Sequence, residues 1–283
     1  MIIDTHTHYF LSRFDCGREE LLSELKEKEI YVIETAIGCD SNERVLKLCE
    51  KHLGIMRAVV GCHPAYIDAK EDELDEDKFS RIIKYAKTNE LVVGIGETGL
   101  DYLRVEEPDR RERQKYWFER FIWGAVELQK PLVIHCRGRG AYDDLYDILY
   151  QNKIHKKMAC PGVIHCFSGN VEDVNKLLEL NFFFGIGGLF LKGEQEGLKE
   201  AIQNIPLHRI LLETDCPYLI PDGLPGKRNT SLNLSYIVTQ LANLLNVEER
   251  EIYSQTLVNS LKVFPEAGLS DKLVFESCFV QND

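Results

Sequence analysis

Apolar runs rich in β-branched residues alternate with helical stretches along the 283-residue chain, and this alternation constrains the fold more than any other feature. Eight such runs can be placed, the first at Ile2 and Ile3 and the last at residues 209–212. Strands that alternate with helices at near-regular intervals predict a parallel sheet with crossover helices. The predicted fold class is therefore α/β, in one large domain.

Five short polar motifs stand where apolar runs end. Residues i and i+2 of a strand face the same side, so His6 and His8 are predicted to project together. Ligands supplied by the ends of several parallel strands are typical of a barrel active site, and only closure brings the first strand beside the last. We therefore predict a (β/α)8 TIM-type barrel. The motifs are Asp4-Thr5-His6-Thr7-His8, Gly96-Glu97-Thr98-Gly99, Ile134-His135, Ile164-His165 and Glu213-Thr214-Asp215.

The histidines and carboxylates of these motifs are the types that bind divalent metals. His135 or His165 alone would more often be a packed residue, but their equivalent positions at strand ends favour ligation. Glu97 lies between glycines, where a metal can approach closely, and a buried carboxylate there requires cations. Asp215 could alternatively cap a helix. The predicted metal ligands are His6, His8, Glu97, His135, His165 and Asp215.

Other residues after the strand ends are candidates to contact a substrate. His63, which precedes Pro64, is predicted to contact substrate rather than only to form a turn. Arginines after strands five and eight could hold phosphate or could be ordinary solvated charges. Aromatic residues there could stack on a base or could pack beneath the loops. The arginines are Arg137, Arg139 and Arg228, and the aromatic residues are Tyr66, Tyr102 and Phe167.

Composition restricts the partner and the compartment. A formal net charge of −12 argues against broad electrostatic binding to nucleic acid, although a nuclease with a small local site is compatible with it. Nine cysteines without a Cys-x-x-Cys motif favour free thiols, and Cys136, Cys166 and Cys216 are expected to face away from the ligands. No apolar run reaches about 18 residues, and the amino terminus lacks signal-peptide features. We expect a cytoplasmic protein without a membrane segment.

Six motifs in chain order, taken together, identify a family. They are Asp4-Thr5-His6-Thr7-His8, Gly61-Cys62-His63-Pro64, Gly94-Ile95-Gly96-Glu97-Thr98-Gly99-Leu100-Asp101-Tyr102, Val133-Ile134-His135-Cys136-Arg137, Ile164-His165-Cys166-Phe167-Ser168-Gly169 and Leu212-Glu213-Thr214-Asp215. In this combination they resemble the TatD-type metal-dependent deoxyribonucleases of the amidohydrolase superfamily. The resemblance implies a TIM-type barrel, the six ligands named above, and a site for divalent metals, either Mg²⁺, Mn²⁺ or Zn²⁺.

The resemblance also predicts the domain boundary. It implies a TatD-like hydrolase domain at residues 1–264 and a C-terminal extension at residues 265–283, whose apolar residues near its end could dock on the barrel. Ala65 stands where family members often carry a second histidine, and Thr230-Ser231 replaces the Glu-Pro of the family motif. Both departures concern substrate contacts rather than the metal ligands.

The reaction that the resemblance implies is hydrolysis of DNA phosphodiester bonds from the 3′ end of single strands. Glu97 would bridge two metals, with the histidines of the first strand on one and those of strands five and six on the other. Asp215 would take the proton from the attacking water, and His63 would help to stabilise charge on the phosphate. The alternatives are an ester or amide hydrolase, such as a D-aminoacyl-tRNA deacylase, and a non-catalytic subunit of a repair or defence assembly. A monomer and a weak oligomer are both compatible with the sequence.

Overall fold

The computed structural model describes residues 1–68 and 73–265, and in them eight strands pair in chain order into one parallel sheet. Beyond β8, Cys216 pairs with Thr7 of β1, and the Asp215 N–H donates to the His6 carbonyl. These contacts bring the last strand beside the first, so the nearly closed barrel confirms the predicted (β/α)8 TIM-type fold. The strands are β1 (Ile2–Thr7), β2 (Ile30–Thr35), β3 (Met56–Val60), β4 (Val92–Asp101), β5 (Leu132–Arg137), β6 (Gly162–His165), β7 (Phe183–Ile186) and β8 (Ile210–Leu212).

Helices surround the barrel, and several begin at residues suited to a helix start. Asp75 accepts a hydrogen bond from the Lys78 N–H at the start of α3, and Asn170 and Asp173 form a capping box on α7. Pro108 is the first residue of α4, where a missing N–H costs nothing. The helices are α1 (Arg18–Glu27), α2 (Ser41–Lys51), α3 (Glu76–Thr88), α4 (Pro108–Leu128), α5 (Ala141–Gln151), α6 (Ile154–Lys157), α7 (Val171–Glu179), α8 (Glu196–Gln203), α9 (Leu234–Leu245) and α10 (Glu249–Val263).

The fourth strand is longer than its sequence suggested. The apolar run ends at Ile95, but β4 continues to Asp101 and therefore carries Glu97 within the strand. Glycine permits this because β5 approaches closely: a Cβ on Gly96 or Gly99 would overlap a carbonyl oxygen of β5. Strand pairing thus explains the glycines on either side of Glu97.

The barrel interior is apolar toward the amino-terminal ends of the strands. Phe264, which follows α10, is buried against this layer and lies beside Gly94. Asn259 fixes α10 to the barrel, because its amide donates to the carbonyls of Leu207 and Ile210. The side chains that fill this end of the barrel interior, together with Phe264, are called the apolar layer below. Each strand contributes one side chain to it, and these are Ile3, Ile33, Val59, Val93, Val133, Val163, Phe183 and Leu211.

An irregularity in β1 determines where its histidines point. Ile3 belongs to the apolar layer, whereas strict alternation would turn His6, three residues later, to the opposite face. The pairing of β1 with β2 shifts register between Asp4 and Thr7. The shift brings Ile3 and His6 to the same side of the sheet, at different heights in the barrel.

The predicted extension at residues 265–283 lies outside the described residues except for Pro265, and so do its docking candidates Val274-Phe275 and Phe279-Val280. The boundary at residue 264 therefore stays a prediction. Within residues 1–68 and 73–265, no helix has both the length and the apolar character needed to cross a membrane.

Candidate metal centre

A cavity of about 240 Å³ opens at the carboxyl ends of the strands. Its lining includes His8, Glu97, His135, His165 and Asp215. The remaining predicted ligand, His6, is fully buried and stacks on His165 with ring centroids 3.5 Å apart. The fold therefore brings all six predicted ligands together, as expected for residues at the strand ends of a barrel.

Glu97 lies between two groups of histidines, and each carboxylate oxygen faces one group. Oε2 is 3.5 Å from Nε2 of His6. Oε1 is 2.9 Å from Nδ1 of His135 and 3.5 Å from Nε2 of His165. One ligand atom from each of His6, His8 and Glu97 lies within 4.8 Å of the others. A carboxylate with nitrogen ligands on both sides can bridge two metal ions.

His8 directs a lone pair into the centre. Its Nδ1 lies 2.8 Å from the Thr35 carbonyl oxygen, which can only accept, so Nδ1 carries the proton in the neutral ring. Its Nε2 then faces Oδ1 of Asp215 at 3.2 Å and Nε2 of His6 at 3.2 Å. Burial opposes the protonated form of His8, but the hydrogen bond and charge of Asp215 raise its pKa, so a proton, or a metal ion in its place, is favoured between Nε2 and this carboxylate. Imidazole and carboxylate together suit a divalent metal.

Two further carboxylates, which are absent from the predicted ligand set, face the outer nitrogens of two candidate ligand histidines. Oδ2 of Asp101 is 3.3 Å from Nε2 of His135, and Oε1 of Glu213 is 3.1 Å from Nδ1 of His165. These are ion-pair distances without hydrogen-bond geometry. Carboxylates in this position orient a histidine and leave its other nitrogen free for a metal. A Cβ at Gly185 would overlap the Glu213 carboxylate, so glycine provides its space.

The electrostatics of the centre favour positive charge. Burial alone would lower the pKa of His165, but the carboxylates of Glu213 and Glu97 raise it to about 10. Burial opposes ionisation of Glu97, yet the histidines packed around it, among them His165 and His135, hold the pKa of this carboxyl well below its usual range. A metal ion can replace a proton held this way. The residues present therefore fit divalent metals.

His63 presents a hydrogen-bond donor to the same cavity. Its Nδ1 accepts from the Ala65 N–H at 3.0 Å, so the neutral ring carries its proton on Nε2. That Nε2 lies 3.5 Å from Oε1 of Glu97 and 3.2 Å from Nδ1 of His135. Burial lowers the pKa of His63 to about 3, which keeps the ring neutral. This tautomer suits donation to a substrate oxygen better than metal ligation.

A buried carboxylate beneath the first two histidines ties β1 to the segments that follow β8. Asp4 accepts hydrogen bonds from the N–H and hydroxyl of Thr214 at 2.9 and 2.6 Å and from the Ser231 hydroxyl at 2.6 Å. Burial raises its pKa to about 7. Ser231, one of the departures from the family motif, is therefore buried beneath the centre, where it holds Asp4, and does not face the cavity. Tyr9 donates to the same serine at 2.8 Å.

The predicted substrate contacts divide into two groups. Arg137 and Tyr66 line the cavity, together with Arg104 and Tyr218, which were not among the predicted contacts. Arg139 is exposed outside the cavity lining.

Three other predicted contacts are corrected by the structure. Tyr102 and Phe167 are buried, and the Tyr102 hydroxyl donates to Asp144 at 2.6 Å, so these rings pack beneath the loops. Arg228 donates to the Arg13 carbonyl at 2.6 Å and lies over the Phe14 ring, outside the cavity lining. In each case the side chain contacts residues distant in sequence instead of facing the cavity, and the local sequence does not reveal those contacts.

The cysteines after the ligands also differ from expectation. Cys136 and Cys166 contribute to the cavity lining rather than turning fully away from it. Cys166 has φ of 46°, which removes it from strand alternation. The described cysteines are free thiols, as expected.

Comparison with known proteins agrees with this geometry. The TatD related DNase family model matches residues 3–265. The chain is 33% identical over 267 residues to the uncharacterized metal-dependent hydrolase YabD of Bacillus subtilis, covering 93% of this chain and 99% of that protein. It is 36% identical over 180 residues to the 3′-5′ ssDNA/RNA exonuclease TatD of Erwinia tasmaniensis, covering 61% and 66%. The crystal structure of the TatD homolog YJJV from Escherichia coli superposes with a TM-score of 0.81 at 26% identity, covering 93% and 98%. The chain therefore belongs to the TatD family of metal-dependent hydrolases.

Proposed function

We propose that this hydrolase removes nucleotides from the 3′ end of single-stranded DNA, with two divalent metal ions as cofactors. The observation that carries the proposal is the position of Glu97 between two histidine groups at the base of the cavity. A two-metal site suits an in-line displacement at phosphorus, because it can stabilise the attacking and leaving oxygens together. The name of the Erwinia relative, a 3′-5′ ssDNA/RNA exonuclease, supports the same reaction class.

Two side chains have the protonation states that the reaction needs. Bound divalent metals would supply Lewis acidity toward water and phosphate. Burial alone would raise the pKa of Asp215, but the hydrogen bond and charge of His8, with His165, lower it, so Asp215 is ionised and can accept the proton of the attacking water. His63 carries an N–H toward the same cavity and can donate it to a phosphate oxygen.

The size and charge of the cavity favour a strand end as the substrate. Its volume of about 240 Å³ is below the roughly 300–1,000 Å³ of pockets that enclose drug-sized ligands, so it suits the end of one strand and is too small to enclose a base pair. Arg104 and Arg137 line it and are exposed. Two arginines on a chain of net charge −12 suit contact with a few phosphates rather than a long track.

The test is an assay of the purified protein, first stripped of metal and then supplied with Mg²⁺ or Mn²⁺. Single-stranded DNA labelled at its 3′ end should release labelled mononucleotide first, and 5′-labelled DNA should shorten stepwise. Glu97→Gln is the matched inactive control. A panel of aminoacyl esters is run beside the DNA, and turnover of esters without DNA cleavage would assign the centre to deacylation. Failure on every substrate at full metal occupancy would favour a non-catalytic role.

A further inference from the structure

Two tyrosines at the mouth of the cavity are placed next to residues of the centre. Tyr66 ends the short 3-10 helix Pro64–Tyr66, which directly follows His63. Tyr218 lies in a turn after Asp215, closed by the Tyr218 N–H, which donates to the Asp215 carbonyl at 2.9 Å. Both side chains line the cavity, and both residues are 38% exposed. Each tyrosine is therefore three residues from a group that we assign to the chemistry.

Each ring is held by edge contacts that leave much of its surface open. Tyr66 meets His63 with ring centroids 6.0 Å apart and planes at 87°, and Tyr218 meets His8 at 6.1 Å and 68°. The Arg13 guanidinium lies 5.3 Å from the centre of the Tyr218 ring. Edge-to-face packing is a favoured aromatic geometry, so the histidine contacts orient both rings, while the Arg13 guanidinium lies over one face of Tyr218.

The two rings share one volume above the centre. Tyr66 and Tyr218 both line the cavity that holds His8, Glu97 and Asp215. Leu189 and Leu219 complete an apolar wall of the same cavity. An aromatic and aliphatic rim above a floor of metal ligands is suited to a flat, largely apolar group that is attached to a phosphate.

We propose that Tyr66 and Tyr218 form a subsite that stacks on the unpaired terminal base of a nucleic acid chain and so selects single-stranded ends. The proposal rests on the nuclease function proposed above and adds recognition of the base to it. Stacking on aromatic side chains tolerates any base, because every base has a π-face. A base within a duplex is already stacked and paired, and extracting it costs free energy.

The experiment compares a normal oligonucleotide with one whose 3′-terminal nucleotide lacks its base. For the wild-type protein, base removal should lower kcat/KM by about 10–100-fold, the range that stacking contributes. Tyr66→Ala and Tyr218→Ala should show a lower kcat/KM on the normal oligonucleotide and little further loss on the abasic one. Tyr66→Phe and Tyr218→Phe retain the ring and should respond as the wild type does. Tyr150→Ala, which removes a 55% exposed tyrosine on α5 outside the cavity lining, is the matched control.

The outcomes separate the two proposals. If the wild type cleaves DNA but is insensitive to removal of the base, the stacking subsite is overturned while the nuclease function stands. The same holds if both alanine variants keep the full wild-type penalty. If the wild type cleaves no oligonucleotide, the nuclease function fails and the subsite fails with it. Should an alanine variant not fold, the leucine variant at the same position, which keeps bulk but lacks the aromatic face, replaces it and should lose the response to base removal.

Discussion

On three strands, a side chain of the apolar layer and a side chain of the metal centre are only two residues apart. Alternate residues of a strand share a face, so the side of the strand that fills the apolar layer continues directly into the centre. The apolar residues are packed without polar partners, whereas every residue of the centre depends on charge and hydrogen bonding. Changes in the layer should therefore affect stability, and changes in the centre should affect chemistry. The pairs are Val133 and His135, Val163 and His165, and Leu211 and Glu213.

The largest effect is expected in the apolar layer. Phe264→Ala should lower the free energy of unfolding by about 3–5 kcal/mol, because it leaves a cavity where a fully buried ring packed. Its kcat per folded molecule should stay within about threefold of wild type, since the ring is remote from the mouth. Urea unfolding with an activity assay on the folded fraction measures both. Val258→Ala, 53% exposed on the neighbouring helix, is the control and should change stability by less than about 0.5 kcal/mol. If Phe264→Ala unfolds at the same urea concentration as wild type, the apolar layer does not stabilise the fold as proposed.

The reverse pattern is expected in the centre. Glu97→Ala and Asp215→Ala should each lower kcat by more than about 10²-fold while the protein stays folded, because they remove the carboxylates that hold charge and accept a proton. Steady-state kinetics at confirmed metal occupancy, with circular dichroism, provide the measurement. Glu196→Ala, on the exposed start of α8, is the acidic control. Retained activity in either variant at full occupancy would exclude that residue from the mechanism.

A smaller effect is expected from the carboxylates behind the ligands. Glu213→Gln keeps the shape of the side chain but removes the charge facing His165, so metal affinity should fall by about 10–100-fold. Asp101→Asn should act in the same direction through His135. Competition with a chromophoric chelator measures the affinity. If affinity is unchanged in both variants, these carboxylates do not orient the ligands.

The mildest test is the pH dependence of metal binding. The pKa of about 10 for His165 means that the metal-free protein holds a proton there at pH 7, and a metal must displace it. Binding thus releases a proton, so affinity should rise with pH below about 10, by about tenfold per pH unit for each proton displaced. His63, with a pKa of about 3, is already neutral and should release none. Calorimetry in buffers with different ionisation enthalpies counts the protons, and a count of zero would contradict this electrostatic description.

The barrel and the convergence of the six candidate ligands could be predicted because their signals are local. An apolar run followed by a polar motif marks a strand end, and closure follows from the need to bring Asp215 to His6 and His8. The irregular register of β1 and the extension of β4 to Asp101 could not be predicted, because glycine-rich sequence is as typical of a loop as of a closely paired strand.

The substrate contacts were harder to predict because they depend on tertiary partners. Tyr102 and Tyr66 both follow strand-end motifs, yet Tyr102 is buried with its hydroxyl bonded to Asp144, while Tyr66 faces the cavity. Asp4 and Glu213 are polar residues next to apolar runs. Their position in the sequence indicates burial, but it does not indicate that Asp4 supports the centre or that Glu213 faces His165. Tyr218 carried no such signal, because its place at the mouth depends on the turn that follows Asp215.

The central claim, that Glu97 joins two metal positions, is tested most directly by the anomalous scattering of crystals grown with Mn²⁺. We predict two peaks, one beside His6 and His8 and one beside His135 and His165, with Glu97 between them. A single peak at full occupancy would contradict the bridging role. Ordered side chains at all six ligands without any peak among them would contradict the metal centre itself.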